Sequence, residues 1–351
     1  MAALSFSTAT STTTTLSTLN PDIIRAEILT RLDGPSLAAI ACASSQFLAL
    51  CTDDKLWREI CSATWSSIDH PHVHQVISTF TGGHRSFFSD SFPLLEHLKA
   101  SNQNQECLSG PSGLISAVDI HYKNNPIFSN IQETDTTMTK FLCSPFRIEL
   151  HGPNDIVSTP IQHEGEIEEV LEHLKESLIL SWIVIDPISK RAANMSSRSP
   201  VSLEWPCTAR NVQLYYSTIM AGDGRLGLEA ELVECRIVVT CSGLDEGEVH
   251  VDDVSMEIRD IEGRRFDGRE SLVILQEAIV KGERKRGKRG EGEKNCKEFE
   301  RRKIEQKPIR DSVVYKLCYP IMIFSAFCVT VPLSMALSIK RYSNCIIGNT
   351  T

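Results

Sequence analysis

Leu19-Asn20-Pro21-Asp22-Ile23-Ile24, followed by Glu27-Ile28-Leu29-Thr30-Arg31-Leu32, is the stretch on which the fold of the N-terminal part turns. Asn20 is a good helix cap, Pro21 suits the first helical position, and Leu19 can staple onto Ile24. Behind that start Ile24, Ile28 and Leu32 recur at i, i+4, i+8, with Leu29 widening the stripe and Arg25, Glu27 and Arg31 on the other side. That spacing predicts an amphipathic helix, which Gly34-Pro35 is expected to stop. Three further short helices are expected: one through Leu37, Ile40 and Ala41, one over Phe47 to Cys51, and one carrying Leu56, Trp57 and Ile60. So few residues make a marginal core, so part of their apolar surface is expected to belong to a partner.

Together with Ser36-Leu37, Ala41-Cys42-Ala43-Ser44 and Lys55-Leu56-Trp57, these residues resemble an F-box at its start, middle and end. Two departures are visible: Asn20 splits the usual Leu-Pro pair, and Gln46-Phe47 stands where a Trp often follows the Cys-x-Ser stretch. The resemblance implies docking of a Skp-type adaptor, and through it a cullin, in an SCF-type ubiquitin ligase. The positions matching the motif are Leu19, Pro21, Ile24, Ile28, Leu29, Leu32, Leu37, Leu56 and Trp57, some of which must serve the module's own core. Downstream, Ile115 to Ile120, Phe141 to Arg147, Leu180 to Pro187 and Ser271 to Gln276 resemble segments of a group of plant F-box proteins. A fainter likeness, to phloem-lectin-type F-box proteins, implies an alternative function as a carbohydrate- or ligand-binding module with a vestigial or regulatory F-box.

The chain has 351 residues, about two domains' worth on a prior of roughly 150 residues each. Hydrophobic residues at 41% and charged residues at 23% exclude collagen-like, fully disordered and polytopic membrane classes. The fold class expected is α+β. Residues 1–18 form a disordered Ser/Thr-rich lead, 19–62 the helical module, and 63–113 a polar connector with one helix through Leu94, Leu95 and Leu98. Residues 114–280 form a β-rich substrate- or ligand-binding domain, a mostly antiparallel sheet or sandwich. Its strands are expected at 114–120, 141–150, 178–185, 212–220, 230–241 and 249–261, with a helix near Glu166 to Glu176. A basic, charged helical segment at 281–310 and a transmembrane helix at 317–339 complete the chain.

Charge is segregated. The net charge is −9, yet residues 281–310 hold 13 Lys/Arg against 6 Glu, which leaves −16 on the rest. A nucleic-acid partner is not expected from such a distribution. The basic run admits a solvated helix, a nuclear-localisation patch at Lys285 to Arg289, or a juxtamembrane segment. From Leu317 to Ile339, 23 residues carry no charged side chain, and Arg310, Lys316, Lys340 and Arg341 flank them. That length matches a membrane span of roughly 20 residues. The expected location is therefore the cytosolic face of a membrane, tail-anchored, or the cytoplasm or nucleus if 317–339 does not insert.

The twelve cysteines are scattered, contain no C-x-x-C pair and follow no secretory signal, so reduced thiols are expected. Gly222, Gly224 and Gly227 satisfy G-x-G-x-x-G, but the following β-branched run leaves no room for a crossover helix, and a hairpin loop fits better. His70, His72 and His74 lack further ligands at metal spacing. Glu164, Glu166, Glu168 and Glu169 suit a helix N-terminus. No hydrolase, metalloprotease, Walker or kinase motif occurs, so no enzyme, cofactor or metal is expected. In the β-rich domain Trp182 reads as core, while Trp205, between Glu204 and Pro206, is the candidate exposed recognition residue for an unidentified protein or glycan.

Overall fold

The computed structural model describes residues 20–95, 113–151, 157–158, 160–163, 165–205, 211–222, 232–288 and 290–305. Up to Cys296 these form one compact unit; those from Lys297 on belong to a second. The lead at 1–18, Leu19, most of the G-x-G-x-x-G stretch and the apolar 317–339 segment lie outside the described residues.

Capping side chains start the N-terminal helices. The Asn20 side chain accepts from the Asp22 amide ahead of α1 (Pro21–Ile23), and Asp33 accepts from Ser36 ahead of α2 (Gly34–Ala41). Gly34-Pro35 thus opens a helix rather than closing one, because Asp33 supplies the cap and Pro35 lies in the first turn. Ser44 caps α3 (Ser45–Leu50) and Asp53 caps α4 (Asp54–Thr64). Between α1 and α2 the chain passes through a π-helical turn, Ile24–Ile28, and a 3-10 turn, Leu29–Arg31. The wider turn puts Leu29 rather than Ile28 over Ile24, so Ile24 and Leu29 are fully buried and Ile28 and Leu32 only half-buried.

The segment read as a connector carries more structure than its polar composition announces. A 3-10 turn (Ser66–Asp69), α5 (Pro71–Ser78) and α6 (Gly83–Ser91) bury Trp65, Ile68, Val73, Ile77, Phe87 and Phe88 against the preceding helices. The helix expected through Leu94 and Leu95 is instead a short strand, β1 (Leu94–Leu95).

Two antiparallel sheets follow. The first is built from β2 (Gly113–Tyr122), β3 (Asn125–Asp135), β5 (Val157–Ser158), β7 (Leu178–Asp186) and β8 (Arg191–Asn194), in the order β5-β3-β2-β7-β8. The second has β4 (Ile148–His151), β9 (Ser202–Glu204), β10 (Val212–Ala221), β11 (Leu232–Ser242) and β12 (Glu248–Arg259), ordered β4-β12-β11-β10-β9, with β6 (Ile161–Gln162) also on β12. β3 is absent from the expected strands. It is a hairpin partner of β2 across Lys123-Asn124, both left-handed at φ 50° and 66°, the geometry of a tight two-residue turn. The strand expected over 141–150 splits at Pro145 into a short helix, α7 (Thr139–Cys143), and β4.

Two helices pack on this framework. α8 (Ile167–Ser177) buries Val170 and Leu174 and places Glu168 and Glu169 in its first turn, where the helix dipole favours them; Glu164 lies outside the described residues. α9 (Gly268–Lys281) was not expected in a β-rich domain; the reciprocal pair Asp267 and Glu270 caps it, and Leu272, Ile274, Leu275, Ala278 and Ile279 are buried.

The central strands of the first sheet, β2 and β7, are buried on both faces. Val118, Ile120, Leu180, Trp182 and Val184 share a core with the second sheet, whereas Ile115, Ala117, Ile183, Ile185 and Ala192 join the core of the N-terminal helices. The register puts each set on one face, Ile115 opposite Ile185 and Ala117 opposite Ile183. This explains why Leu180–Ile185 reads as apolar throughout. In the basic run, β13 (Arg284–Lys285) pairs with β1, and α10 occupies 291–305. Within its last turns Glu298 pairs with Arg301 and Arg302, a solvated ladder. No helix among the described residues is long and apolar enough to cross a membrane.

Candidate functional site

The helical module sorts the motif residues into two groups. Ile24, Leu29, Leu37, Leu56 and Trp57 are buried and hold the module together. The Trp57 indole donates to the Cys51 carbonyl at 2.7 Å, and its ring lies 5.4 Å from that of Phe88. A Cβ on Gly34 would come within 2.1 Å of the Phe88 ring, so only glycine lets α2 approach it. Pro21 is exposed, and Ile28 and Leu32 are half-buried. Two exposed apolar side chains were not among the candidates: Ile23, 50% exposed on α1, and Leu48, 42% exposed on α3. Ile23 could have been found from its place opposite the buried stripe, and Leu48 from following Phe47 out of phase with Leu50.

The second open surface is the outward face of the six-stranded sheet. On it Gln213 and Tyr215 of β10 neighbour Thr240 and Val238 of β11, which neighbour Asp253 and Ser255 of β12. These and Arg147, Glu204, Arg236 and Arg259 line a shallow cleft of about 470 Å³. Arg236 lies 4.4 Å over the Tyr215 ring, whose hydroxyl is 3.0 Å from the Glu204 carboxylate and 2.6 Å from the Gln213 carbonyl oxygen. Burial, and then the Glu204 hydrogen bond, push the Tyr215 hydroxyl above its ordinary value. Glu257 is shared by Arg259 and Arg265. Alternation of apolar and polar residues along β10 to β12 was the signal for this face.

Trp205 does not stand at the surface. It is half-buried against the sandwich core, and its indole N–H is buried without a partner. Trp182 is fully buried. The three histidines do not converge: His70 precedes α5, His72 pairs with Glu133, and the His74 ring lies 5.1 Å from that of His84, whose Nδ1 is 2.9 Å from Asp54. Burial, then Arg58, holds His74 below the usual imidazole range. Among the described residues no group of three His, Cys, Asp or Glu side chains is placed to hold a metal. Gly222 follows β10, and Ala221 pairs with Leu232 of antiparallel β11, so the glycine motif lies in a hairpin connection, not in the parallel β-α-β unit a dinucleotide requires.

No family model and no solved structure matches the chain. Three curated proteins of Arabidopsis thaliana do. F-box protein At2g27310 is 41% identical over 305 residues, 83% of this chain and 84% of that protein. Probable F-box protein At2g36090 is 41% identical over 303 residues, 85% of this chain and 86% of its own. F-box protein At3g44326 is 38% identical over 296 residues, 82% of this chain and 80% of its own. An identity of this order over more than four-fifths of the chain makes it a member of the plant F-box protein family.

Proposed function

We propose that the protein is the substrate-recognition subunit of an SCF-type ubiquitin ligase. The Skp-type adaptor, which bridges to the cullin, docks on the outer side of the helical module around Pro21, Ile23, Ile28, Leu32 and Leu48. The observation that carries this reading is the exposure of Ile23 and Leu48 beside side chains packed in the module's core, Ile24 and Leu29 next to the first and Leu50 next to the second. Large apolar side chains left in water on a marginal module favour a covering partner. A target protein is held on the outward face of the six-stranded sheet. The protein carries out no chemistry of its own on this reading; it raises the local concentration of the target beside the loaded conjugating enzyme.

Co-purification with a Skp-type adaptor tests the docking face. Ile23→Asp with Leu48→Asp abolishes association while leaving the thermal midpoint within about 2 °C of the wild type, because neither side chain is in the core. Retained association in that variant would overturn the assignment.

A further inference from the structure

Three of the partly buried arginines of the compact unit, Arg191, Arg284 and Arg198, differ in their partners, and two of them are fully compensated. Arg191 donates to both carboxylate oxygens of Asp90, at 2.7 and 3.0 Å, and Arg284 donates to the carbonyls of Ile279, Gly282 and Ala192 at 2.7 to 2.9 Å. The third, Arg198, is not. It follows β8, in the segment that carries the chain from the first sheet to the second: its carbonyl accepts from Leu180 of β7, and the neighbouring Ser197 hydroxyl accepts from the Ser217 amide of β10. Its backbone is held left-handed at φ 67°, unusual for a side chain of this size. One face of the guanidinium is covered by the Phe92 ring at 4.3 Å, and its Nε is buried without a partner. Among the described residues none accepts a hydrogen bond from that guanidinium. Burial alone pulls its pKa down, with no carboxylate contributing in the other direction. A half-buried guanidinium whose enclosed Nε finds no acceptor is costly, and native structures keep such groups where something else satisfies them.

Arg198 lines a cavity of about 610 Å³ between α8, residues 197–200 and a glycine-rich wall that includes Gly287, Lys288, Gly290 and Gly292. A space of that size suits a small organic molecule rather than a bare ion. Leu94 and Ile179 supply apolar wall, and Lys175 and Lys288 add positive charge. The acidic wall residues are Glu172, Glu176 and Glu293, the last two of which have interactions of their own. Formal charge along the wall is balanced, so it is the uncompensated guanidinium that fixes where an anion would sit.

We infer that this cavity is a binding site for a small organic anion, with Arg198 receiving its carboxylate or phosphate group and the wall of Leu94 and Ile179 receiving its body. Arginine's planar fork matches either group. The site stands apart from the adaptor-docking face and does not depend on it.

Calorimetric titration of the full-length protein with phenyl phosphate, benzoate and neutral benzyl alcohol tests the assignment. At least one of the two anions binds more tightly than the alcohol, and which one does so identifies the oxyanion. Arg198→Asn, chosen because Asn tolerates a left-handed backbone, weakens that binding by about ten-fold or more. Lys288→Glu, at an exposed position, leaves the fold untouched and weakens it by about three-fold or more, through unfavourable charge within a Debye length. The inference is overturned if neither anion exceeds the alcohol. It is overturned equally if Lys288→Glu and any folded Arg198→Asn protein bind the anion as the wild type does.

Discussion

Asp119 joins the helical module to the first sheet, and its removal can be worked through in numbers. It lies on β2 on the same face as Ile115 and Ala117 and is fully buried. Its Oδ1 accepts from the Ser67 amide at 2.9 Å and the Ser129 hydroxyl at 2.7 Å, and its Oδ2 from the Ser67 hydroxyl at 2.5 Å. Desolvation nevertheless dominates, and it raises the carboxyl from 3.8 to about 6 against these hydrogen bonds. A group whose folded pKa lies above its unfolded value contributes most below the unfolded pKa and loses that contribution as pH rises to the folded one. Over the full interval from 3.8 to about 6 the loss is about 3 kcal/mol, at roughly 1.4 kcal/mol for each pH unit.

The Asp119→Asn variant keeps this geometry without a charge to titrate: the new amide oxygen takes the Ser67 amide and Ser129 hydroxyl, and the amide NH₂ donates to the Ser67 oxygen. Urea unfolding of both proteins between pH 4.5 and 7 should therefore show the wild type losing about 2 kcal/mol relative to Asp119→Asn, with little change above that. Asp119→Ala strands the Ser67 amide and two hydroxyls and lies about 3 kcal/mol below Asp119→Asn at every pH. Parallel pH profiles for wild type and Asp119→Asn would refute the reasoning, because they would mean the carboxylate titrates alike in folded and unfolded chains.

Gly34→Ala forces the Phe88 ring, wedged beside Trp57 and Trp65, to move, and lowers stability by about 1–3 kcal/mol; an unchanged thermal midpoint would show that α2 can shift freely. Asp90→Ala leaves Arg191 and Arg284 without their shared carboxylate and costs about 3–5 kcal/mol in urea unfolding, whereas a loss below about 1 kcal/mol would show that the carbonyl acceptors suffice. For the apolar 317–339 segment, carbonate extraction should retain the full-length protein in the membrane pellet and release a chain ending at Lys307; release of both would remove the anchor.

What was legible followed from local signals. Asn20 marked the first helix, and the apolar run at Leu180–Ile185 marked a strand with Trp182 in the core. The π-helical turn at Ile24–Ile28 was not legible, since i, i+4 spacing alone favours Ile28 over Leu29 for the core. β3 escaped because Pro126 and the polar Ser129, Asn130, Gln132 and Glu133 dilute its alternation. Helices α5 and α6 escaped because His, Ser and Gly interrupt their apolar positions, although Val73, Ile77, Phe87 and Phe88 carry the contacts. Of the candidate site, the module's position was legible but its outward side chains were not, because the motif names core and surface residues together. The buried polar pairs were beyond reach in principle. Asp119 meets Ser67 across 52 positions, Arg191 meets Asp90 across 101, and Arg284 meets the Asp90 carbonyl across 194.

Those long-range pairs decide how the basic run should be understood. Its composition suggested a solvated helix or an address patch, yet its first residues are structural: Arg284 is mostly buried, pairs through β13 with β1, and donates to carbonyls at the ends of α6, α9 and β8. Lys285 lies in that strand and pairs with Glu291, so two of the cations counted toward a charged patch are already engaged. The same clamp ties α6, which packs against the helical module, to β8 of the first sheet through Asp90 and Arg191. With Asp119 holding the 3-10 turn at the other side, the five-stranded sheet acts as a common wall for both cores. On the proposed function, a target held on the second sheet would then sit at a fixed distance from the adaptor face instead of swinging on a linker. Its accessible lysines would be selected by position as well as by affinity.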